Sequence, residues 1–239
     1  MSDATSTTKW VPLESNPELF SEWSSAMGLD TSRFAFHDIF GLDEELLMMV
    51  PQPVQAVLLL FPITEAVQKM RNEEDEDVEE ATEAEAEGEV MWFKQTIGNA
   101  CGTIGLLHAL ANTEATKAVS KDSPLDSLLS KARPLAPIQR ADLLTKSKEL
   151  ESVHSQTASG GQSAAPEDLD NVILHFVCFI RDRDGNLVEL DGGRKGPLKR
   201  GSVPTQDQLL PKAVEFIKQK YVSRTLGNSA DSVLFQAAD

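Results

Sequence analysis

The stretch NVILHFVCFIRDRDGNLVELDGGRKGPLKRG, residues 171–201, decides the fold. Two runs rich in β-branched and aromatic residues flank an Asp-Gly pair, a pattern that predicts an antiparallel hairpin. Side chains alternate along a strand, so His175 and Val177 share one face while Cys178 points to the other. The first strand therefore carries a titratable histidine near its start.

The length of the turn decides where Asp191 lies. A three-residue loop over 183–185, with Gly185 left-handed, sets Asp191 opposite Val177. Asp191 is then one diagonal away from His175, about 7–8 Å, which side chains can bridge. A two-residue loop would send Asp191 to the opposite face. The alternative interpretation of Asp191 is a turn residue before two glycines.

Residues 53–64, PVQAVLLLFPIT, form a nearly continuous apolar run. Such a run predicts a strand buried on both faces, and hence a sheet with helices on either side. Asn16 is placed to cap a helix that starts at Pro17. Other helices are predicted after Gly98-Asn99, over 124–131 and 137–149, and within 204–222, with a last short strand near 232–236. The predicted class is α/β (α+β), and the chain fits a single domain over residues 1–239, or at most two small ones.

Two segments lack the pattern of a packed element. Residues 73–89 hold 11 acidic and no basic side chains, and predict a solvated loop or frayed helix. Residues 152–170 are small and polar with two adjacent glycines, and predict a long loop of the kind that serves as a lid or binding loop.

Composition narrows the classes of partner and compartment. The net charge is −16, but removing the 11 acidic residues of 73–89 from the total of 38 leaves 27 against 22 basic residues, or −5. A mildly acidic protein disfavours nucleic acid and suits a basic protein or peptide. Two cysteines and no apolar run near the roughly 20 residues of a membrane span predict a soluble protein of a reducing compartment. The histidines and cysteines show no metal-binding spacing, so no metal or cofactor is expected.

Cys101 follows the Gly98-Asn99 turn at the start of the predicted central helix. If Asn99 caps that helix, the unpaired N–H groups and the helix dipole stabilise a Cys101 thiolate. The alternative is that Cys101 packs as one more small residue, since free cysteine is among the most buried types. The local sequence leaves both open.

A thiolate nucleophile needs a base, and His175 is the best placed histidine. His108 lies seven residues beyond Cys101, roughly 10 Å along a helix, which is out of direct reach. His37 is flanked by aromatic residues, and His154 falls in the polar loop. A strand histidine such as His175 is also commonly structural.

The remaining groups of an acyl-transfer site are also available in the sequence. Asp191 is placed to fix the tautomer of His175. The Cys101 N–H and the side-chain amide of Gln95 are candidate donors to an oxyanion, although Gln95 can equally be a polar residue before a helix. The combination follows the logic of a papain-like cysteine hydrolase.

QTIGNACGTIGLLHAL and HFVCFIRDRDGNLVELDG resemble the signatures of the ubiquitin carboxyl-terminal hydrolases, and WVPLESNPE and LLMMVPQPVQAVLLLFPITE extend the likeness along nearly the whole chain. The short, single-domain members are the most similar. The resemblance implies a three-layer papain-like fold with a central antiparallel β-sheet and a knotted backbone. It also implies that Cys101 is the nucleophile, His175 the general base and acid, Asp191 the residue orienting His175, and Gln95 an oxyanion donor.

The resemblance further implies a substrate and its path. The substrate would be the C-terminal tail of ubiquitin, or of NEDD8 in some relatives, and the partner surface would include Leu13, Glu14 and Asn16. Residues 152–168 match the crossover loop above the active site, which restricts leaving groups to small or unfolded ones. An alternative is a protein that stores free monoubiquitin with little turnover. A monomer located in the cytoplasm, and also in the nucleus, is expected.

The chain departs from the family pattern in three places. The spacing between His175 and Asp191 differs, two glycines follow Asp191, and the tail diverges from Ser223. The first departure bears on the register of the hairpin, and the last on any C-terminal contact with ubiquitin.

Overall fold

A computed structural model describes residues 9–83, 89–162, 166, 168–225 and 234–238. Parts of the predicted acidic segment (84–88), of the polar loop (163–165 and 167) and of the divergent tail (226–233 and 239) lie outside the described residues. For Thr225 and for 234–238 only the backbone is described.

A six-stranded sheet forms the centre of the molecule, and every neighbouring pair of strands is antiparallel. The strand order is β1-β6-β2-β3-β4-β5, so the strand latest in the chain lies between β1 and β2. The strands are β1 (Phe36–Ile39), β2 (Ala56–Pro62), β3 (Leu174–Arg181), β4 (Asn186–Leu190), β5 (Leu198–Ser202) and β6 (Leu234–Ala238).

Helices cover both faces of this sheet. Within the described residues they are α1 (Pro17–Met27), α2 (Glu44–Leu47), α3 (Glu65–Glu76), α4 (Cys101–Ala111), α5 (Pro124–Ala132), α6 (Pro137–Lys146), α7 (Lys148–Ser159), α8 (Leu209–Ile217) and α9 (Ser223–Thr225). The turn between α8 and α9, Lys218–Val222, is π-helical.

The alternation of side chains on β2 and β3 divides the interior into two cores. Leu58 and Cys178 face a core with α1 and α4, whereas Leu59 and Val177 face a second core with α3 and α8. All seven residues of β2 are buried. The predicted α/β (α+β) class with helices on both sides of a central antiparallel sheet is confirmed. The knotted path and the single-domain assignment stay predictions.

The hairpin between β3 and β4 has the three-residue loop that the sequence analysis required. Gly185 has φ 81°, in the left-handed region that favours glycine. The Asp182 N–H donates to the carbonyl of Asn186 at 3.0 Å, and Cys178 pairs with Leu190. This register continues to place Asp191 opposite Val177, so the predicted register is confirmed.

The boundary of the polar loop was predicted wrongly. Residues 148–159 form α7, which begins after Ser147, whose side chain accepts from the Leu150 N–H. Leu150, His154 and Thr157 are buried, at the i, i+4, i+7 spacing of an amphipathic helix. The polar residues are the exposed face of this helix, and the irregular segment begins only at Gly160.

The prediction of a solvated loop or frayed helix at 73–89 is wrong at its beginning. Helix α3 continues to Glu76, and Glu74 contacts Arg194 at 3.1 Å and Arg200 at 2.6 Å. Asp75 also contacts Arg194, at 2.9 Å. Arg194 and Arg200 are nearly buried, and the two carboxylates neutralise their charges. These ion pairs connect α3 to the chain that follows β4.

The N-terminal helix has the predicted cap. The Asn16 side chain accepts from the N–H groups of Glu18 and Leu19, and Pro17 is the first helical residue. An Asn cap of this kind stabilises a helix by about 1 kcal/mol.

Candidate active site

Cys101 is the first residue of α4, and its side chain is buried. The predicted cap at Asn99 is wrong. Ala100 occupies the cap position without a side-chain hydrogen bond, while Asn99 has φ 60° and donates its side-chain amide to the Leu169 carbonyl at 3.0 Å. The start of the helix still presents unpaired N–H groups around the thiol, which favour its anionic form. Asn99 instead anchors the far end of the polar loop.

His175, Asp191 and Cys101 meet where β3 begins and β4 ends, near the start of α4. The imidazole Nε2 lies 2.7 Å from Asp191 Oδ1. Because a carboxylate can only accept, Nε2 carries the proton of this bond and Nδ1 is left for the Cys101 thiol. The ring of Phe61 packs edge-on against His175 at 5.8 Å between centroids. The structure thus brings together the three groups that the sequence pairs.

The electrostatics of this cluster favour an ion pair. Burial raises the pKa of the Cys101 thiol, but the hydrogen bond and charge of His175 outweigh burial and hold the pKa below that of an ordinary thiol. Burial lowers the pKa of His175, yet the Asp191 carboxylate, and then Cys101, raise it to about 10. A thiolate beside an imidazolium is therefore the favoured state near neutral pH.

Asp191 is fully buried and is held through several of its polar atoms. Its Oδ1 also accepts the Gly193 N–H at 2.8 Å, and its carbonyl accepts the Trp92 indole N–H at 3.1 Å. Burial raises the pKa of Asp191, but the charges of His175 and Arg71 hold it well below its usual range.

Arg71 is the functional neighbour that the sequence analysis missed. Its Nη2 lies 2.8 Å from Asp191 Oδ2, and both side chains are nearly inaccessible to solvent. The signal was present in α3, where Val67, Met70 and Arg71 share the buried face at helical spacing. A charged residue on an apolar helix face indicates a buried counter-ion.

Gln95 lies against the turn that follows Asp191. Its backbone N–H donates to the Gly192 carbonyl at 2.9 Å, and its side-chain Nε2 donates to the Ile97 carbonyl at 3.1 Å. A side chain at position 192 would meet the Gln95 Cβ at 2.9 Å and the Phe93 carbonyl at 3.0 Å, so this approach needs a glycine. An amide nitrogen has two hydrogens, and one remains for a ligand. The oxyanion role of Gln95 stays a prediction.

A groove of about 400 Å³ opens beside Cys101. Leu13 and Glu14 of the predicted ubiquitin contacts line it, whereas the Asn16 side chain is occupied in capping α1. Most of the lining is apolar: Val11, Pro12, Leu13, Leu60, Ala158, Pro166, Val172, Leu174 and Phe176, with Glu14, Ser15, Cys101 and Gly161. A mostly apolar lining with a few polar groups is the usual character of a binding site.

The remaining histidines lie outside this cluster. His108 is buried in α4 and accepts the Phe93 N–H at 2.9 Å, and burial lowers its pKa to about 3. His108 is therefore a core histidine, outside the reach of the thiol as the helix spacing predicted. His37 lies on β1, three places from β3 in the sheet. The placement of His154 in a polar loop is wrong, because it is buried in α7.

The described part of the chain contains neither a metal-binding cluster nor a helix that could span a membrane. There, three or more His, Cys, Asp or Glu side chains never gather in an arrangement that could hold a metal ion. The helices described are too short or too polar to cross a membrane.

The model of the family "Ubiquitin carboxyl-terminal hydrolase, family 1" matches residues 10–222. The chain belongs to the ubiquitin carboxyl-terminal hydrolase family. The resemblance seen in the sequence is thereby confirmed.

Relatives within this family match along most of their length. Ubiquitin carboxyl-terminal hydrolase 3 of Arabidopsis thaliana is 38% identical over 91% of this chain and 90% of its own. Ubiquitin carboxyl-terminal hydrolase isozyme L1 of Homo sapiens is 36% identical over 87% of this chain and 89% of its own. In fold, the chain is similar to the Trichinella spiralis UCH37 catalytic domain, solved bound to ubiquitin vinyl methyl ester, with a TM-score of 0.72, 23% identity and coverage of 98% of both chains.

Proposed function

We propose that this ubiquitin carboxyl-terminal hydrolase is a deubiquitinating cysteine hydrolase in which Cys101, His175 and Asp191 form the catalytic triad. The single observation that carries the assignment is the contact chain from the Cys101 thiol through His175 to Asp191, with the Nε2–Oδ1 bond at 2.7 Å. A member of a cysteine-hydrolase family with these groups in contact has the nucleophile, base and orienting residue of acyl transfer.

The geometry supports the following reaction. The Cys101 thiolate attacks the carbonyl carbon of the terminal glycine of ubiquitin, and the charge that develops on oxygen is stabilised by the Cys101 N–H and the Gln95 amide. The His175 imidazolium then gives its proton to the leaving amine, and a thioester remains on Cys101. Neutral His175 next removes a proton from water, which hydrolyses the thioester and restores the resting pair. Asp191 keeps Nε2–H oriented throughout.

The composition of the groove supports this substrate. A mostly apolar groove with the Glu14 carboxylate suits a tail that carries basic residues. We assign ubiquitin as the substrate and partner, with NEDD8 as the alternative modifier. Leu13 and Glu14 are the contact residues that the groove supports. The irregular segment that starts at Gly160 is the proposed crossover loop, which limits leaving groups to small or unfolded ones. The enzyme is proposed to act as a monomer in the cytoplasm, with the nucleus as an additional compartment.

The test uses ubiquitin that carries 7-amido-4-methylcoumarin at its C-terminus. Wild-type protein should release the fluorophore, and Cys101→Ala should lower turnover at least about 10³-fold, as the loss of a triad member does. Direct binding of ubiquitin to Cys101→Ala should persist. If both proteins bind ubiquitin but show equal, negligible turnover, the hydrolase proposal fails. The second candidate function, storage of free monoubiquitin, would then take its place.

A further inference from the structure

His154 is a buried histidine that the proposed reaction does not use. It lies in the middle of α7 with only 2% of its surface exposed. Its Nε2 is 2.8 Å from the Val11 carbonyl oxygen, and its Nδ1 is 2.8 Å from the Thr103 hydroxyl. One ring therefore joins three segments that are far apart in sequence: α7, α4 and the chain before α1.

The chemistry of the two partners fixes the state of the ring. A carbonyl oxygen only accepts, so Nε2 carries the proton and donates it to Val11. Nδ1 then has a lone pair, which accepts the Thr103 hydroxyl proton. Burial lowers the pKa of His154 to about 4, so this neutral tautomer persists at neutral pH. Both ring nitrogens are occupied, and the ring cannot serve as an acid or base.

The segment that His154 holds is one wall of the groove. We call Trp10–Ser15 the strap; its residues Val11–Ser15 line the groove beside Cys101. The Trp10 ring packs against the His154 ring with centroids 4.2 Å apart. The strap is thus in contact with His154 through both a hydrogen bond and an aromatic ring.

The other end of this connection is close to the nucleophile. Thr103 is the second residue after Cys101 in α4, and it is completely buried. The strap also touches α4 directly, because a side chain at Gly102 would meet Leu13 at 3.1 Å. His154 therefore connects the groove wall to the helix that carries the thiol.

We propose that His154 is a positioning residue that holds the strap in place as a wall of the groove, and so contributes to binding of the substrate tail. The inference rests on the proposed function. His154 acts through Val11 and touches none of the reacting atoms, so its loss should weaken substrate binding and leave the chemical step unchanged.

Two variants separate the two hydrogen bonds of the ring. In His154→Gln the amide nitrogen comes near the position of Nε2, so it can still donate to Val11. In His154→Asn the shorter amide comes near Nδ1, so it keeps Thr103 as a partner and loses the strap. Both replacements are polar amides, and Asn therefore serves as the matched control for Gln.

With the ubiquitin coumarin substrate, His154→Asn should raise KM about 10-fold while kcat stays within about 2-fold, since a lost hydrogen bond to the strap affects binding. His154→Gln should restore KM to within about 3-fold of wild type. In the Cys101→Ala background, the Kd for ubiquitin should rise about 10-fold with Asn and little with Gln. A fall in kcat with KM unchanged, or equal effects of Asn and Gln, would overturn the proposal.

Amide hydrogen exchange provides a readout that needs no turnover. The N–H groups of the strap, Pro12 excepted, should exchange faster in His154→Asn than in wild type, and those of α4 should not. Unchanged strap exchange overturns the role of His154. If the wild-type protein fails to turn over the substrate, the proposed function fails, whereas ubiquitin affinity and strap exchange still decide the role of His154.

Discussion

The two carboxylate oxygens of Asp191 contact different partners, a histidine that titrates and an arginine that stays charged. Oδ1 faces His175 at 2.7 Å, and Oδ2 faces Arg71 at 2.8 Å. Arginine stays protonated at every accessible pH, so the carboxylate remains ionised even when His175 is neutral. The orientation of the imidazole is thereby kept through both halves of a reaction that changes its charge.

Replacing Arg71 should therefore change the pH dependence of catalysis. In Arg71→Met the buried carboxylate loses one of its two cations, so the pKa of Asp191 rises, and the acid limb of kcat/KM should move to higher pH. At pH 7 we expect kcat to fall about 10-fold. Arg71→Lys keeps the positive charge, so the acid limb of its kcat/KM profile should lie close to that of wild type. A pH profile of Arg71→Met that superimposes on that of wild type would contradict this role.

The state of the thiol gives a second prediction at the residue scale. Because His175 holds the pKa of Cys101 low, iodoacetamide should alkylate the wild-type thiol well below the ordinary cysteine pKa of about 8.5. In His175→Ala the effect of burial on Cys101 is no longer opposed by His175, so the pKa of the thiol should rise above that ordinary value. The rate of alkylation at pH 7 should then fall at least about 30-fold. Labelling of Cys101→Ala measures the background from Cys178, whose pKa burial raises.

At the residue scale, the sequence predicted the contacts that depend on the strand register of one hairpin. His175 and Asp191 follow from a single hairpin and the length of its turn. Arg71 does not, because its partner is more than one hundred residues away and only the packing of α3 brings them together. The wrong cap at Asn99 has a similar cause: the Asn99 side chain is drawn away by Leu169, a tertiary contact that no local pattern reports.

At the scale of elements, a buried ionic cluster joins α3, β4, β5 and the turn after α8. The Glu189 carboxylate is completely buried and contacts Arg200 at 2.8 Å and the Tyr221 hydroxyl at 2.9 Å. Glu74 reaches Arg200, Arg194 and Lys220. Because Glu189 precedes Asp191 by two residues on the same strand face, this cluster supports the strand that leads to the carboxylate of the proposed triad.

Glu74 should contribute measurably to stability. Burial raises its pKa, but Arg200 and its neighbours outweigh burial and lower the pKa to about 2. A folded-state pKa below the unfolded value means that the contribution is complete above about pH 4.5 and is lost as the pH falls toward 2. Glu74→Gln should lower the free energy of unfolding by about 2 kcal/mol at pH 7.

The control for this measurement is the neighbouring Glu73. Its side chain is exposed and lies 3.8 Å from Lys69, so Glu73→Gln should change the free energy of unfolding by less than about 0.5 kcal/mol. Urea unfolding of both variants between pH 7 and pH 3 provides the comparison. A Glu74→Gln deficit that is constant over this range would show that the carboxylate charge is not its cause.

Elements with a strong apolar signal were predicted, and those with mixed signals were not. The strand β2 is apolar throughout and the central helix α4 is apolar except for Thr103 and His108, and both were predicted as elements. Helix α7 was merged with a loop because its exposed face has the same polar composition as the loop that follows. Composition averages over both faces of a helix, whereas burial distinguishes them.

At the scale of the whole molecule, the position of β6 lies beyond local prediction. Residues 234–238 pair with β1 on one side and with β2 on the other. A short strand was predicted near this position, but its neighbours depend on pairings across more than 170 residues. Such non-local pairings are set by the assembled sheet and not by any window of sequence.

Ending the chain after Thr225 should therefore destabilise the entire sheet. Without β6, the wholly buried strand β2 becomes an edge with unpaired N–H and C=O groups, and β1 loses its partner. We expect the shortened protein to aggregate, as size-exclusion chromatography would show. A monomeric product with the melting temperature of the full chain would show that β6 is dispensable.

The order of the proposed triad residues along the chain has a consequence for biosynthesis. Cys101 leaves the ribosome long before His175 and Asp191, and the sheet needs residues as late as 238. Until β3 and β4 have paired, the nascent polypeptide carries only an ordinary thiol with no base beside it. The activation of Cys101 by His175 therefore arrives only with the completed fold, and an unfinished chain lacks the activated nucleophile.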